Sequence, residues 1–78
     1  MTGAIPATLK EALKMGEEIL GEERELALRK IRANFLGADC STLNPGDKCA
    51  ETDCDDGYRV ILYCDESKGC TKAVKIPC

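Results

Sequence analysis

Apolar and charged residues alternate through the first half of the chain with the spacing of amphipathic helices. Helix-forming Ala, Leu, Glu, Lys and Arg dominate residues 7–36, which contain neither cysteine nor proline. The apolar positions fall in two stripes, Leu9, Leu13 and Leu20, followed by Leu28, Ile31 and Phe35. Because the two stripes do not share one heptad phase, the pattern does not predict a long coiled coil.

The flanks and glycines of this segment predict where helices begin and end. Thr8 and Glu11 have the spacing of a capping box, in which the Thr8 hydroxyl accepts the Glu11 N–H. Gly37 stands where a left-handed glycine ends a helix. Gly16 and Gly21 each weaken a helix interior by about 1 kcal/mol relative to alanine. Since two glutamates follow Gly21, as at a helix N-terminus, we expect a break there and two short helices. One bent helix is the alternative.

The second half of the chain has strand-forming segments separated by turn-forming residues. Residues 58–64 and 70–76 contain aromatic and β-branched residues around a polar segment, which predicts a β-hairpin. Residues 38–57 are predicted to be loop, with turns at 44–47 and 55–57. The face expected to receive the helix stripe carries Val60, Leu62, Val74 and Ile76.

All six cysteines lie in this second half, at Cys40, Cys49, Cys54, Cys64, Cys70 and Cys78. Such a density in a short chain is typical of a disulfide scaffold. The even count allows every thiol to pair, but the sequence does not choose among the many connectivities. Since disulfides persist in oxidising compartments, we expect an extracellular protein, secreted or exported.

Metal binding is the second interpretation of the cysteines. Four of them would hold zinc as thiolates: Cys49, Cys54, Cys64 and Cys70. Their spacings are looser than the usual C-x2-C pairs, and two cysteines would be left over. The chain also lacks the adjacent cysteines of inhibitor knots, so we predict no knot. No cofactor is expected, and no residue is assigned to a metal.

The charge distribution narrows the classes of partner. The net charge is -3: residues 1–38 hold six acidic and six basic residues, and residues 39–78 hold eight acidic and five basic residues. An acidic cysteine-rich half argues against nucleic acid and membrane surfaces as partners. No apolar run approaches the ~20 residues of a spanning helix, so no membrane insertion is expected. Because the chain has no histidine, we expect no enzyme and no catalytic residues.

Charged side chains supply the candidate binding residues, which are Arg59, Lys68 and Lys72. Lys68 lies in a short loop bracketed by cysteines, which could present a basic side chain to a protease. Inhibition of a protease through Lys68 or Arg59 is therefore an alternative function. The acidic run near Gly57 does not fit the register of a calcium loop, so it is interpreted as a solvated turn.

The segment Phe35-Leu36-Gly37-Ala38, just before the first cysteine, resembles the Gly-Gly or Gly-Ala ends of leader peptides in exported bacterial peptide precursors. This resemblance implies that residues 1–38 contain a helical leader, cleaved at Gly37 and Ala38. Arg32 departs from the pattern, because an apolar residue is usual there. A helix-capping glycine is the alternative. The start of the chain lacks the basic and apolar blocks of a secretory signal peptide.

Together these patterns predict a small disulfide-rich α+β fold. An N-terminal helix, or two helices broken near Gly21, would precede a cysteine-stapled β-hairpin domain. Residues 1–37 would form the helical segment, either packed on the core or removable, and residues 38–78 the disulfide-rich domain. The expected function is that of a toxin, effector or signalling protein that binds a protein target of unknown identity, with the oligomeric state undetermined.

Overall fold

The computed structural model describes residues 5–34 and 40–78, with the backbone alone at residues 32–34. Its elements are α1 (Leu9–Met15), β1 (Glu17–Ile19), α2 (Gly21–Asn34), a 3-10 turn (Cys40–Thr42), β2 (Lys48–Glu51), β3 (Tyr58–Cys64) and β4 (Cys70–Pro77). The strands form one antiparallel sheet in the order β1-β4-β3-β2. The predicted small α+β disulfide-rich fold is confirmed. The glycine cap and the leader end at Gly37 and Ala38 lie outside the described residues.

The break in the helical half is a short strand. The α1 helix begins as expected, with the Glu11 N–H donating to the Thr8 hydroxyl over 3.3 Å. It ends at Met15, and α2 starts at Gly21, whose φ of +62° favours glycine. Two helices are therefore confirmed. The strand β1 between them was not predicted, because three residues are too few to show a β-pattern within a helical sequence.

Gly16 allows β1 to join the sheet. A methyl group on its Cα would collide with the Lys75 carbonyl oxygen and lie 2.7 Å from Ile76 Cγ2. The missing side chain lets the backbone approach β4, where Glu17 pairs with Lys75 and Ile19 pairs with Ala73. The glycine that weakens the helix therefore allows the strand junction.

The helical segment wraps around the hairpin. At the β2 edge, the Leu9 N–H donates to the Gly46 carbonyl over 2.8 Å, and the Lys48 N–H donates to Ala7 over 3.1 Å. From there α1 crosses one face of the sheet, and β1 pairs with β4 at the far edge. The α2 helix then covers the opposite face. The segment thus lies against two faces and both edges of the sheet.

The sheet is buried on both faces, which corrects the expected single face. Val60 and Leu62 lie on the α2 side, whereas Val74 and Ile76 lie on the α1 side, because the register pairs Ile61 with Val74. The α1 face buries Ala12, Ile61, Tyr63, Val74 and Ile76. The α2 face buries Ile19, Leu28, Ile31, Cys40, Cys49, Ala50, Leu62, Cys64 and Ala73. A strand covered on both sides has a continuous apolar run rather than alternation.

The predicted loop at residues 38–57 is wrong in part. It contains the 3-10 turn and the edge strand β2, whose sequence Lys-Cys-Ala-Glu carries no β-branched or aromatic residue. Both predicted turns are present. The Asp47 N–H donates to Asn44 over 3.0 Å, and the Tyr58 N–H donates to Asp55 over 3.0 Å. The second turn has positive φ at both central positions, as in tight two-residue hairpins, so β2 and β3 form a second hairpin.

Tyr63 ties the start of the chain to the sheet. Its ring is fully buried, and its hydroxyl donates to the Pro6 carbonyl oxygen over 2.7 Å. Burial, followed by the nearby charges of Glu11 and Glu51, raises the pKa of Tyr63 from 10.0 to about 12. The neutral phenol is therefore the form that the fold stabilises.

We predict that Tyr63→Phe lowers the free energy of unfolding by about 1–3 kcal/mol near neutral pH, because the buried Pro6 carbonyl loses its donor. As pH rises from 10 to 12, the unfolded tyrosine ionises before the native one, so wild-type stability falls. The variant lacks this loss, and the difference should shrink. Urea denaturation with intact disulfides measures both effects. Tyr58→Phe at an exposed ring is the control, and parallel pH profiles for wild type and Tyr63→Phe would contradict the account.

We also predict that Gly16→Ala is more damaging than Gly21→Ala. The first change forces the β1–β4 junction apart and should cost about 2–3 kcal/mol or more. At Gly21 an added methyl group has no described atom within 4 Å, and only the positive φ costs about 1 kcal/mol. Urea midpoints compare the two variants. The reverse order would show that β1 tolerates separation from β4.

Candidate functional site

Three disulfides join all six cysteines, pairing the first with the fourth, the second with the fifth and the third with the sixth in chain order. The bonds are Cys40–Cys64, Cys49–Cys70 and Cys54–Cys78, with sequence separations of 24, 21 and 24 residues. Closing loops of this length stabilises a fold by about 3 kcal/mol each in the chain-entropy model. For a chain this small, such a contribution is comparable with that of the apolar core.

The disulfides occupy two separate places. The Sγ atoms of Cys40, Cys49 and Cys70 lie within 4.8 Å of one another on the α2 side of the sheet. Cys54 and Cys78 are exposed beside the β2–β3 turn, where the Cys78 N–H also donates to Gly57 over 2.9 Å. The zinc alternative required Cys54 among the ligands, but the structure places it with Cys78, and none of the six described cysteines is a free thiol.

A groove of about 750 Å³ opens beside this outer disulfide, between α2 and the end of the β2–β3 hairpin. Ala27 and Ile31 of α2 and Val60 of β3 contribute apolar surface to it. The opposite wall is the continuous segment 51–56, which includes Cys54. Because this wall is cross-linked to Cys78 and hydrogen-bonded to β3, the groove has a defined shape.

The groove is lined by charged residues of both signs, with carboxylates in excess. Its acidic residues are Glu51, Asp53, Asp55 and Asp56, and its basic residues are Lys30, Arg59 and Lys75. Each cation has a partner. Lys30 Nζ lies 3.7 Å from the Asp55 carboxylate, and Arg59 Nη1 lies 3.8 Å from that of Glu51. Lys75 Nζ stands 4.5 Å from the centre of the half-exposed Tyr58 ring.

Two of these carboxylates form no ion pair with another described residue. In residues 5–34 and 40–78, no hydrogen bond or ion pair reaches the side chain of Asp53 or Asp56. The Lys30–Asp55 pair is itself largely exposed, so water screens it and it contributes little to stability. The groove therefore offers negative charge to a ligand.

The predicted basic residues do not come together. Arg59 lines the groove at the start of β3, whereas Lys68 lies in the turn beyond the other end of that strand. The Lys68 ammonium donates to the Leu43 carbonyl over 2.7 Å, so it braces two loops rather than projecting alone. Lys72 lines a smaller depression next to Arg24 and Asp65. Protease inhibition through Lys68 or Arg59 stays a prediction.

Asp65 organises the turn that carries Lys68. Its carboxylate accepts the Thr71 hydroxyl over 2.6 Å and the N–H groups of Ser67 and Gly69, each over 2.8 Å. The bond from Thr71, followed by that from Gly69, lowers the pKa of Asp65 below its ordinary value. These contacts give the carboxylate a structural role in shaping the turn.

The sequence interpretation missed the groove. The acidic residues between Cys49 and Tyr58 were interpreted only as a solvated turn, because a run of carboxylates does not indicate which surface it borders. The signal that could have drawn attention to it is the exposed aromatic Tyr58 directly after the acidic turn. The contribution of α2 to the groove could not be predicted without the packing of the two halves.

Comparison with protein-family models, with curated proteins and with solved structures found no match. None of the described helices combines the length and apolar content needed to cross a membrane. The geometry of the groove and the chemistry of the disulfides are therefore the basis for a functional proposal.

We predict that Cys54–Cys78 is the first disulfide to be reduced, because both its cysteines are exposed while Cys40, Cys49 and Cys64 are buried. Limiting phosphine reductant, alkylation and peptide mass mapping should place the first labels on Cys54 and Cys78. The double variant Cys54→Ser/Cys78→Ser should need more reductant before any label appears. First labels on Cys40 or Cys49 would contradict the prediction.

Proposed function

We propose that this is an extracellular, non-enzymatic protein that binds a protein partner in the groove between α2 and the β2–β3 hairpin. The observation that carries the proposal is the groove itself. It has apolar surface, unpaired carboxylates and an exposed aromatic ring, and a disulfide fixes one wall. Toxin, effector and signalling roles all use such a surface on a small stapled scaffold.

The disulfides support the extracellular part of the proposal. All six thiols are paired, and disulfides of this kind persist outside the reducing cytosol. The described core is divided between two thin layers, one on each face of the sheet. A chain this small gains little from such a core alone, so it would depend on cross-links where it works.

The groove chemistry supports binding rather than catalysis. Each of its cations lies next to a partner, Asp55, Glu51 or the Tyr58 ring, rather than beside a candidate nucleophile. Tyrosine is enriched among the residues that contribute most to protein interfaces. The shifted pKa values of Tyr63 and Asp65 occur outside the groove, and burial or hydrogen bonding accounts for each.

The helical segment belongs to the binding form in this proposal. It supplies Ala27, Lys30 and Ile31 to one wall of the groove. It also covers the sheet residues Ile61, Leu62 and Val74, which removal of residues 1–37 would leave without that cover. A cleaved chain would lose half of the groove and expose apolar surface.

Filling the groove should abolish binding without disturbing the fold. We predict that immobilised oxidised wild type retains a defined set of proteins from the extracellular fluid of its source, and that Ala27→Trp loses them. Leu26→Trp is the matched control, because Leu26 immediately precedes Ala27 in α2, is 62% exposed and does not line the groove. Circular dichroism checks that both variants fold.

Two outcomes would contradict the proposed function. Identical capture by wild type, Ala27→Trp and Leu26→Trp would place binding elsewhere on the molecule. A second contradiction would be free thiols in the protein isolated from its source. Intact mass tests this, since the native protein should be about 6 Da lighter than the fully reduced one if all three disulfides are present.

A further inference from the structure

Building on the proposed function, we infer that the partner inserts a basic, extended segment, which adds as a strand along the free edge of β2 and places alternate side chains in the groove. Three independent features of the described residues carry this inference. They are the open backbone of β2, the pairing of its first residue with the start of the chain, and the unpaired negative charge beside it.

The open edge follows from the hydrogen-bond pattern. In the sheet, β2 has β3 on one side and no described strand on the other. The Thr52 N–H donates to Val60 over 2.9 Å, so Thr52 faces β3. In an antiparallel ladder, the backbone N–H and C=O groups of successive residues point alternately toward and away from the paired strand. Those of Glu51, next to Thr52, therefore point toward the open side. These groups can bind an added strand.

The chain already uses the first part of this edge in that way. Residues 7–9 lie antiparallel to residues 46–48, with Thr8 opposite Asp47 and hydrogen bonds on both sides of that pair. Toward Cys49 the pairing ends at Ala7, and the carbonyl of the preceding Pro6 accepts the Tyr63 hydroxyl instead. Beyond Lys48, no described residue pairs with the backbone from Cys49 to Asp53 on the side away from β3. An incoming segment would therefore extend a line of pairing that the fold has begun.

The groove beside this edge determines the chemistry of the segment. The wall formed by residues 51–56 contains both the open backbone and four carboxylates, of which Asp53 and Asp56 are unpaired. Lysine or arginine on the partner would neutralise them. Because side chains alternate along a strand, the intervening residues would point away from the groove, where β-branched residues such as valine favour the extended conformation. Recognition of this kind combines main-chain affinity with side-chain specificity.

Paired peptides test the chemistry of the segment. A capped peptide of alternating lysine and valine, titrated into the isotope-labelled full chain, should shift the amide resonances of residues 49–56 and of Ala27 and Ile31. A peptide of equal length with glutamate in place of lysine should bind at least about tenfold more weakly. Equal affinity for the two peptides, or shifts confined to other surfaces, would overturn the inference.

Two substitutions at Glu51 test the backbone pairing. Glu51→Gln and Glu51→Pro both remove the carboxylate and its contacts with Lys48 and Arg59. Only proline also removes the outward N–H, and it leaves the ladder to β3 intact. We expect the proline variant to bind the lysine peptide roughly tenfold more weakly than the glutamine variant. Equal binding by the two would eliminate strand addition.

A matched pair of double variants tests the role of charge. Asp53→Asn/Asp56→Asn should weaken binding of the lysine peptide severalfold and flatten its dependence on salt. Asparagine tolerates the positive φ at position 56, so the turn is kept. Glu22→Gln/Glu66→Gln removes the same charge from exposed positions outside the groove and should change little. If the two double variants lost the same affinity for the lysine peptide, net charge alone would explain the loss, and the inference would be overturned.

Failure of this inference is distinguishable from failure of the proposed function. If Ala27→Trp abolishes capture of the partner but Glu51→Pro does not differ from Glu51→Gln, the groove binds its partner without strand addition. Resonance shifts at the β2 edge that depend on protein concentration alone would identify a second copy of the chain as the occupant. Either result overturns the inference while leaving the groove as the binding site.

Discussion

The antiparallel ladder between β3 and β4 runs from the Tyr58–Pro77 pair to Cys64–Cys70, and both faces of this hairpin are apolar. Each apolar face must be shielded from water by another part of the chain, and here one continuous N-terminal segment shields both. The path of the N-terminal half follows from that requirement. The α1 helix covers one face, β1 pairs with β4 at the edge of the sheet, and α2 covers the other face. The disulfides then tie the 3-10 turn, β2 and the β2–β3 loop to the ends of this hairpin.

Local sequence signals predicted the elements whose stability is local. The capping pair at Thr8 and Glu11, the turn at residues 44–47 and the hairpin from Tyr58 to Pro77 follow from side-chain chemistry within a few residues. The same signals did not predict β1 and β2. Both are short edge strands whose residues gain their conformation from the neighbouring strand, so their sequences carry little intrinsic preference.

The register explains the other difference between sequence and structure. Alternation suggested one buried face, but pairing Ile61 with Val74 divides the apolar residues between two faces. Alternation within each strand alone left the register between β3 and β4 open, and a shift of one residue moves every side chain to the other face. The groove depended on the same information. Its acidic wall and its helical wall are far apart in sequence and meet only because α2 crosses the sheet.

The pairing of β1 with β4 also affects when the chain can fold during synthesis. Glu17 is made before its partner Lys75, which lies 58 residues later in the sequence. Contacts between such distant positions form slowly, because the intervening chain must first be brought together. The N-terminal half would therefore leave the ribosome long before its place in the sheet exists.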